Sequence, residues 1–332
     1  MAQRVRLKKK RKAKPQAGQA EFHLRDVVHP RERGMLAQGL AWGLGPLVAL
    51  LLVAGLPGWR QYALVVVGGW IALAALIYLL VGEITERKIL EAGEEGTGRR
   101  LQRMAEVQAK AIGMAPPEVV VSERVPYEMV LGHKIALPAD LVGEFDEAEQ
   151  WALVAHELGH MRWGHTFWLN LMRRSRYASG LMVVPGLPVQ LVRRGLMMWE
   201  PYANFSADRL ALLLTRDRGV LGQALLKQAA FHHPDLEVSS AEIVDYLHRP
   251  GSLQADGAEV TAHYKLGQLL SAQEDLQERL QHLAAYAKTD DYKRAAALIE
   301  EASARARGAA KPAKDAPPAA GEPPSDPPAK AE

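Results

Sequence analysis

Residues 151–165 read WALVAHELGHMRWGH, and the run His156-Glu157-Leu158-Gly159-His160 constrains this chain more than any other stretch. Residues four apart on a helix share one face, one turn apart, so both imidazoles can reach a single metal ion. Glu157 points about 100° further round the helix, towards a water on the open side of such an ion. This is the H-E-x-x-H arrangement, in which two His hold Zn²⁺ and the Glu acts as general base. The flanks suit a helix: Glu147, Ala148 and Glu149 lead into an apolar run, and no proline interrupts residues 147–172. The bland alternative is an incidental His pair on a structural helix. A catalytic zinc site needs a third protein ligand. The chain has no cysteine, so that ligand is a His, carboxylate or amide side chain, and disulfides are excluded.

Charge and hydropathy divide the chain into unlike parts. Residues 1–14 hold eight of its 41 Lys and Arg; the other 33 stand against 38 acidic residues, so the body is net negative. The basic character belongs to the tail, which removes the case for nucleic-acid binding. Residues 1–34 are read as a basic tail with too few apolar positions for a core. Met35–Leu56 and Tyr62–Gly82 carry no charged residue, and each has about the 20 residues a helix needs to cross a bilayer. Only PGWRQ separates them, with Trp59 and Arg60 suited to an interface. A transmembrane hairpin is expected over 35–82. The basic N-terminus stays in the cytoplasm by the positive-inside rule, and two crossings return the motif to that side.

Beyond the hairpin, Glu83–Met114 reads as an amphipathic helical segment stopped by Ala115-Pro116-Pro117. Glu118–Ser122 reads as a strand and Met129–Leu137 as another, broken at Gly132. A small sheet beside a metal-bearing helix suits peptide cleavage, because an extended substrate can add to a sheet edge. Tyr177–Val192 is uncharged for 16 residues but holds Pro185 and Pro188; it lines a cleft or contacts the membrane. Residues 201–230 and 260–308 are helical in pattern, Leu269, Leu276, Leu280 and Leu283 forming a short apolar stripe. The Pro- and Ala-rich end from Ala309 has no core-forming residues. The fold class expected is α+β and mainly helical: a two-helix membrane hairpin followed by a zincin-like domain with a small sheet. The divisions are 1–34, 35–82, 83–250, 251–308 and 309–332.

A third His in the register H-E-x-x-H-x-x-G-x-x-H is missing: Gly164 and His165 each fall one place off it. His165 is therefore a structural or hydrogen-bonding residue. The other source is an acid on a later helix, within Trp199–Arg209. Hairpin, strands, HELGH helix and the SADR run of residues 206–209 together resemble the HtpX-like membrane zinc metalloproteases, gluzincin relatives of the CAAX prenyl proteases. The resemblance covers roughly residues 35–230. It implies that the third ligand is the Glu of E-x-x-x-D and that Asp208, as the Asp of that motif, supports the zinc histidines. The position of the Glu is Asn204 here. An amide oxygen is a weaker ligand than a carboxylate; Glu200, one turn earlier, is the alternative, although Pro201 would make it a helix cap. Whether Asn204, Glu200 or only water completes the site stays open. The remaining histidines, among them His29, His232 and His282, have no ligand spacing and no assigned role.

The reading expected from these residues is a membrane-anchored zinc endopeptidase. His156, His160 and Asn204 bind Zn²⁺, Glu157 is the catalytic base and Asp208 braces the site. By resemblance, its substrates are misfolded or membrane-associated peptides and proteins. Its place is the inner (cytoplasmic) membrane, multi-pass, in contact with lipid. The rival reading is a pseudoprotease that keeps the fold and binds partners without cutting, because Asn204 replaces the Glu. A membrane-tethered helical scaffold would leave HELGH unexplained.

Overall fold

The helix carrying the motif is bounded by side chains at one end and by backbone conformation at the other. It runs Glu147–Trp163 in the computed structural model, which describes residues 24–54, 62, 65–73, 76, 95–179, 187–236, 238, 243, 269 and 274–309. Asp146 and Glu149 form a reciprocal capping box, satisfying two N–H groups that have no partner within the helix. At the other end Gly164 sits in the left-handed region at φ 75°, where a residue with a Cβ is disfavoured. The helix therefore stops within the proline-free stretch, and a second one begins at Thr166.

Ten helices are labelled in order here: α1 (Glu32–Ala54), α2 (Glu95–Ala111), α3 (Ala139–Glu144), α4 (Glu147–Trp163), α5 (Thr166–Ser179), α6 (Leu187–Met197), α7 (Glu200–Thr215), α8 (Arg218–His232), α9 (Glu274–Tyr286) and α10 (Asp290–Ala309). The strands are β1 (Glu118–Ser122), β2 (Met129–Leu131) and β3 (Lys134–Pro138). β1 runs parallel to β3 and β2 antiparallel to it, in the order β1-β3-β2. The expected strand over 129–137 is thus a hairpin that turns at Gly132. Its outer strand, β2, lies against α4 and α5, with Asn170 Nδ2 donating to Val130 O at 2.8 Å. The fold is mainly helical with a small sheet, as expected.

The principal core joins the sheet, α2, α4, α7, α8, α9 and α10 around Leu101, Ile135, Leu158, Leu210 and Leu276. α4 and α7 approach so closely that Gly159 has no room for a side chain. A Cβ there would lie 2.7 Å from Ala207 Cα and 3.0 Å from its Cβ. Gly159→Ala is therefore expected to force the two helices apart and to cost about 1–3 kcal/mol. Chemical denaturation of the metal-free protein measures this; an unchanged midpoint would contradict the close approach.

A second cluster, Leu169, Met172, Leu196, Trp199 and Ala203, packs against Met35, Leu36 and Leu40 of α1. α1 meets α6 at Gly39, Gly43 and Gly195; a Cβ at Gly39 or Gly195 would run into the other's backbone. Small residues at such a crossing let backbones touch, as in helix pairs within lipid. Of the expected hairpin, α1 and residues 65–73 are helical, and most of the rest of 55–82 lies outside the described residues. Among the described residues no helix is long and apolar enough to cross a membrane. Residues 180–186 of the proline-broken run also lie outside them.

Residues 24–34 are not all tail: Leu24–Val27 forms a 3-10 turn, and Val27, His29 and Glu32 are buried. Val27 joins the main core, and Arg209 of α7 donates to the carbonyls of Val27 and Val28. Described residues within 251–308 also join the main core. Leu269, Leu276, Leu283 and Ile299 belong to the principal core, because α9 closes over α7 and α8.

Candidate metal centre

The i,i+4 spacing of the two motif histidines acts as expected. His156 Nε2 and His160 Nε2 lie 3.0 Å apart, both rings are buried, and they meet edge to face. Two nitrogens bonded to one zinc at about 2.0–2.1 Å in near-tetrahedral geometry stand about 3.3–3.4 Å apart, so a spread of a few tenths of an ångström brings this pair to ligand spacing. The opposite ring nitrogens are already engaged. His156 Nδ1 is 2.8 Å from Asp208 Oδ1, and His160 Nδ1 is 3.0 Å from His165 Nδ1. Both histidines line the cleft, and their Nε2 atoms face each other. The donor set therefore fits a zinc ion at its first two ligands.

Asp208 is fixed from the far side by Arg279 of α9. Arg279 Nε donates to Oδ2 and Nη2 to Oδ1, each at 2.8 Å. Burial opposes the charge on Asp208, but the Arg279 guanidinium and the His156 ring hold its carboxyl down at about 2. The carboxylate thus stays charged beside His156 Nδ1, which favours the tautomer with its hydrogen on Nδ1 and the lone pair on Nε2.

These groups line a cleft of about 850 Å³, into which Glu157, Glu200, Asn204 and Asp275 also project. Asn204 Nδ2 is 3.5 Å from Asp275 Oδ2. Glu200 is the first residue of α7, with Trp199 as the cap and Pro201 within the first turn, so it is not the cap itself. Among the described residues no third His, Cys, Asp or Glu joins His156 and His160 in a metal-binding cluster. The cleft lining also includes Glu128, which precedes β2; its Oε1 accepts from Gln228 at 2.6 Å and lies 3.1 Å from His232 Nε2. Burial works against charge on Glu128, yet the His232 and Gln228 contacts keep its carboxyl below the usual range.

Behind His160, His165 Nε2 lies 3.0 Å from Glu32 Oε1. Nearby, the His29 ring packs on Tyr202, Phe205 and His282. Burial, then Arg209, lowers His29 from 6.5 to about 4. An unfolded chain takes up this proton below about 6.5 and the folded one only near 4, so stability falls as pH drops between those values. Thermal unfolding of the metal-free protein at pH 7 and pH 5 is expected to show a smaller acid loss in His29→Phe than in wild type. An equal loss in both would contradict this assignment.

Glu32, Arg279, Glu128 and His232 escaped the sequence reading. Arg279 left a signal: it lies three residues after Leu276 and four before Leu283, on the buried stripe, where a charge needs a partner.

Comparison with known proteins bears on this centre. The sequence model of peptidase family M48 matches residues 95–287, from α2 into α9. Plastoglobule-localized metallopeptidase 48, chloroplastic, of Arabidopsis thaliana is 32% identical over 133 residues, covering 36% of this chain and 37% of that protein. The chain thus spans little more than a third of the length of that relative. No solved structure matches.

Proposed function

As this chain belongs to peptidase family M48, we propose that it is a membrane-anchored zinc endopeptidase. The observation that carries the zinc reading is the buried Nε2 pair, 3.0 Å apart, of two histidines that line the cleft. His156 and His160 hold the ion, and the amide oxygen of Asn204 is the third ligand. Zinc supplies there the Lewis acidity that polarises a scissile carbonyl and acidifies water. Glu157 takes the proton of the attacking water and passes it to the leaving amine. Asp208 keeps His156 in the ligating tautomer. The cleft walls receive an extended peptide, and the substrates are misfolded or membrane-associated proteins.

Anchoring is supported by the apolar side chains that α1 and the following helical residues expose, among them Trp42, Val48, Leu52, Val65 and Val66. Single exposed apolar residues are ordinary, but a row of them marks a covered surface. The place proposed is the inner (cytoplasmic) membrane, with the cleft on the cytoplasmic side.

Detergent-purified protein is expected to cleave a fluorogenic unfolded protein. Chelation should abolish cleavage, and stoichiometric zinc should restore it. A specific observation favours a second reading: Asn204 is neutral, and no third His or acid among the described residues completes the cluster. Zinc-loaded protein that binds unfolded chains without cutting them would replace the peptidase reading with a pseudoprotease.

A further inference from the structure

Asp208 acts on His156 directly, whereas His160 faces another imidazole, and the source of its tautomer lies one residue further back. Glu32 Oε1 stands 3.0 Å from His165 Nε2. A carboxylate only accepts, so the hydrogen of this bond is on His165 Nε2. In the neutral ring that leaves His165 Nδ1 as the acceptor. It lies 3.0 Å from His160 Nδ1, which must then donate. His160 Nε2 is left without a hydrogen, the form a metal ligand requires.

We infer that Glu32 is a positioning residue for the metal centre, acting through His165 to hold His160 in its ligating tautomer. The inference rests on the zinc reading above. All three side chains are buried, so water does not compete for these bonds. Glu32 is itself held: Ser206 donates to its Oε2, and the same hydroxyl accepts from His29 N–H at 2.9 Å. Ser206 lies two residues before Asp208 on α7, so one helix anchors the supports of both motif histidines. Glu32 opens α1, 133 residues from His165. The first turn of the apolar N-terminal helix is therefore part of the metal centre, and undocking that helix releases His160.

Two measurements on the full-length chain in detergent test this. Zinc affinity, read by competition with a chromogenic chelator, is expected to fall about 10–100-fold in Glu32→Ala, the usual cost of losing an outer partner of a metal-binding His. Long-range ¹H–¹⁵N correlation of metal-free wild type, labelled at histidine, should show His160 protonated on Nδ1 and not on Nε2. A merely structural role for Glu32 would not set that signature, and the spectrum stands even where Glu32→Ala fails to fold. Wild-type affinity in folded Glu32→Ala, or an Nε2–H tautomer at His160, would overturn the inference. A wild type that takes up no zinc would instead sink the peptidase reading, while the spectrum still decides the relay.

Discussion

Glu157→Gln keeps its zinc and loses peptidase activity by about 10²–10⁴-fold, the range supplied by a positioned general base. Gln matches Glu in shape and cannot take a proton, so the buried surroundings of residue 157 are preserved and only proton transfer is removed. His156 and His160 are untouched, which is why metal content should stay at the wild-type level. Turnover of a fluorogenic unfolded substrate, normalised to bound zinc, measures the effect. Activity within a few-fold of wild type would move the base elsewhere in the cleft, with Glu200 as the next carboxylate to test.

The second large effect is on stability. Asp208→Ala strands the Arg279 guanidinium, which is buried and makes both its short bonds to that carboxylate. Breaking a buried ion pair from one side costs about 3–5 kcal/mol, because the surviving charge has lost its compensation. The same substitution frees His156 Nδ1, so zinc affinity should fall about 10–100-fold as well. A double variant, Asp208→Asn with Arg279→Met, separates the two. Removing both charges should recover most of the denaturation midpoint, whereas zinc affinity stays low. Recovery of both together would mean that Asp208 serves the fold alone.

The parts of this centre that were legible in the sequence are those written at helical spacing. His156 and His160 declared themselves by being one turn apart. Asp208 and Asn204 were reached through the resemblance carried by the SADR run; the structure sets Asp208 against His156 and lines the same cleft with Asn204. The supports were not legible, because they join residues remote in sequence. Glu32 meets His165 across 133 residues, Arg279 meets Asp208 across 71 and His232 meets Glu128 across 104. No local pattern encodes such pairs; they arise where α1 meets the turn after α4, where α9 packs on α7, and where α8 meets the residue before β2. His165 falls off the ligand register in the sequence, and in the structure it contacts His160 Nδ1. The left-handed Gly164 accounts for its place: it ends α4 and turns His165 back towards His160.

The fold shows a similar division. Strand β1 and the start of α4 follow from β-branched residues and from acidic residues at a helix N-terminus. The basic character of residues 1–34 masks Val27, a single apolar anchor that the structure buries in the main core. The stripe of Leu276 and Leu283 was legible as apolar spacing, and the structure places that face of α9 in the core.

Zinc content, measured by elemental analysis of the detergent-purified chain beside His156→Ala and Asn204→Glu, tests the central claim most directly. About one zinc per chain in wild type, lost in His156→Ala and retained in Asn204→Glu, is the expected result. A wild type free of zinc that gains it only in Asn204→Glu would contradict the claim and make the chain a pseudoprotease whose site lacks one ligand.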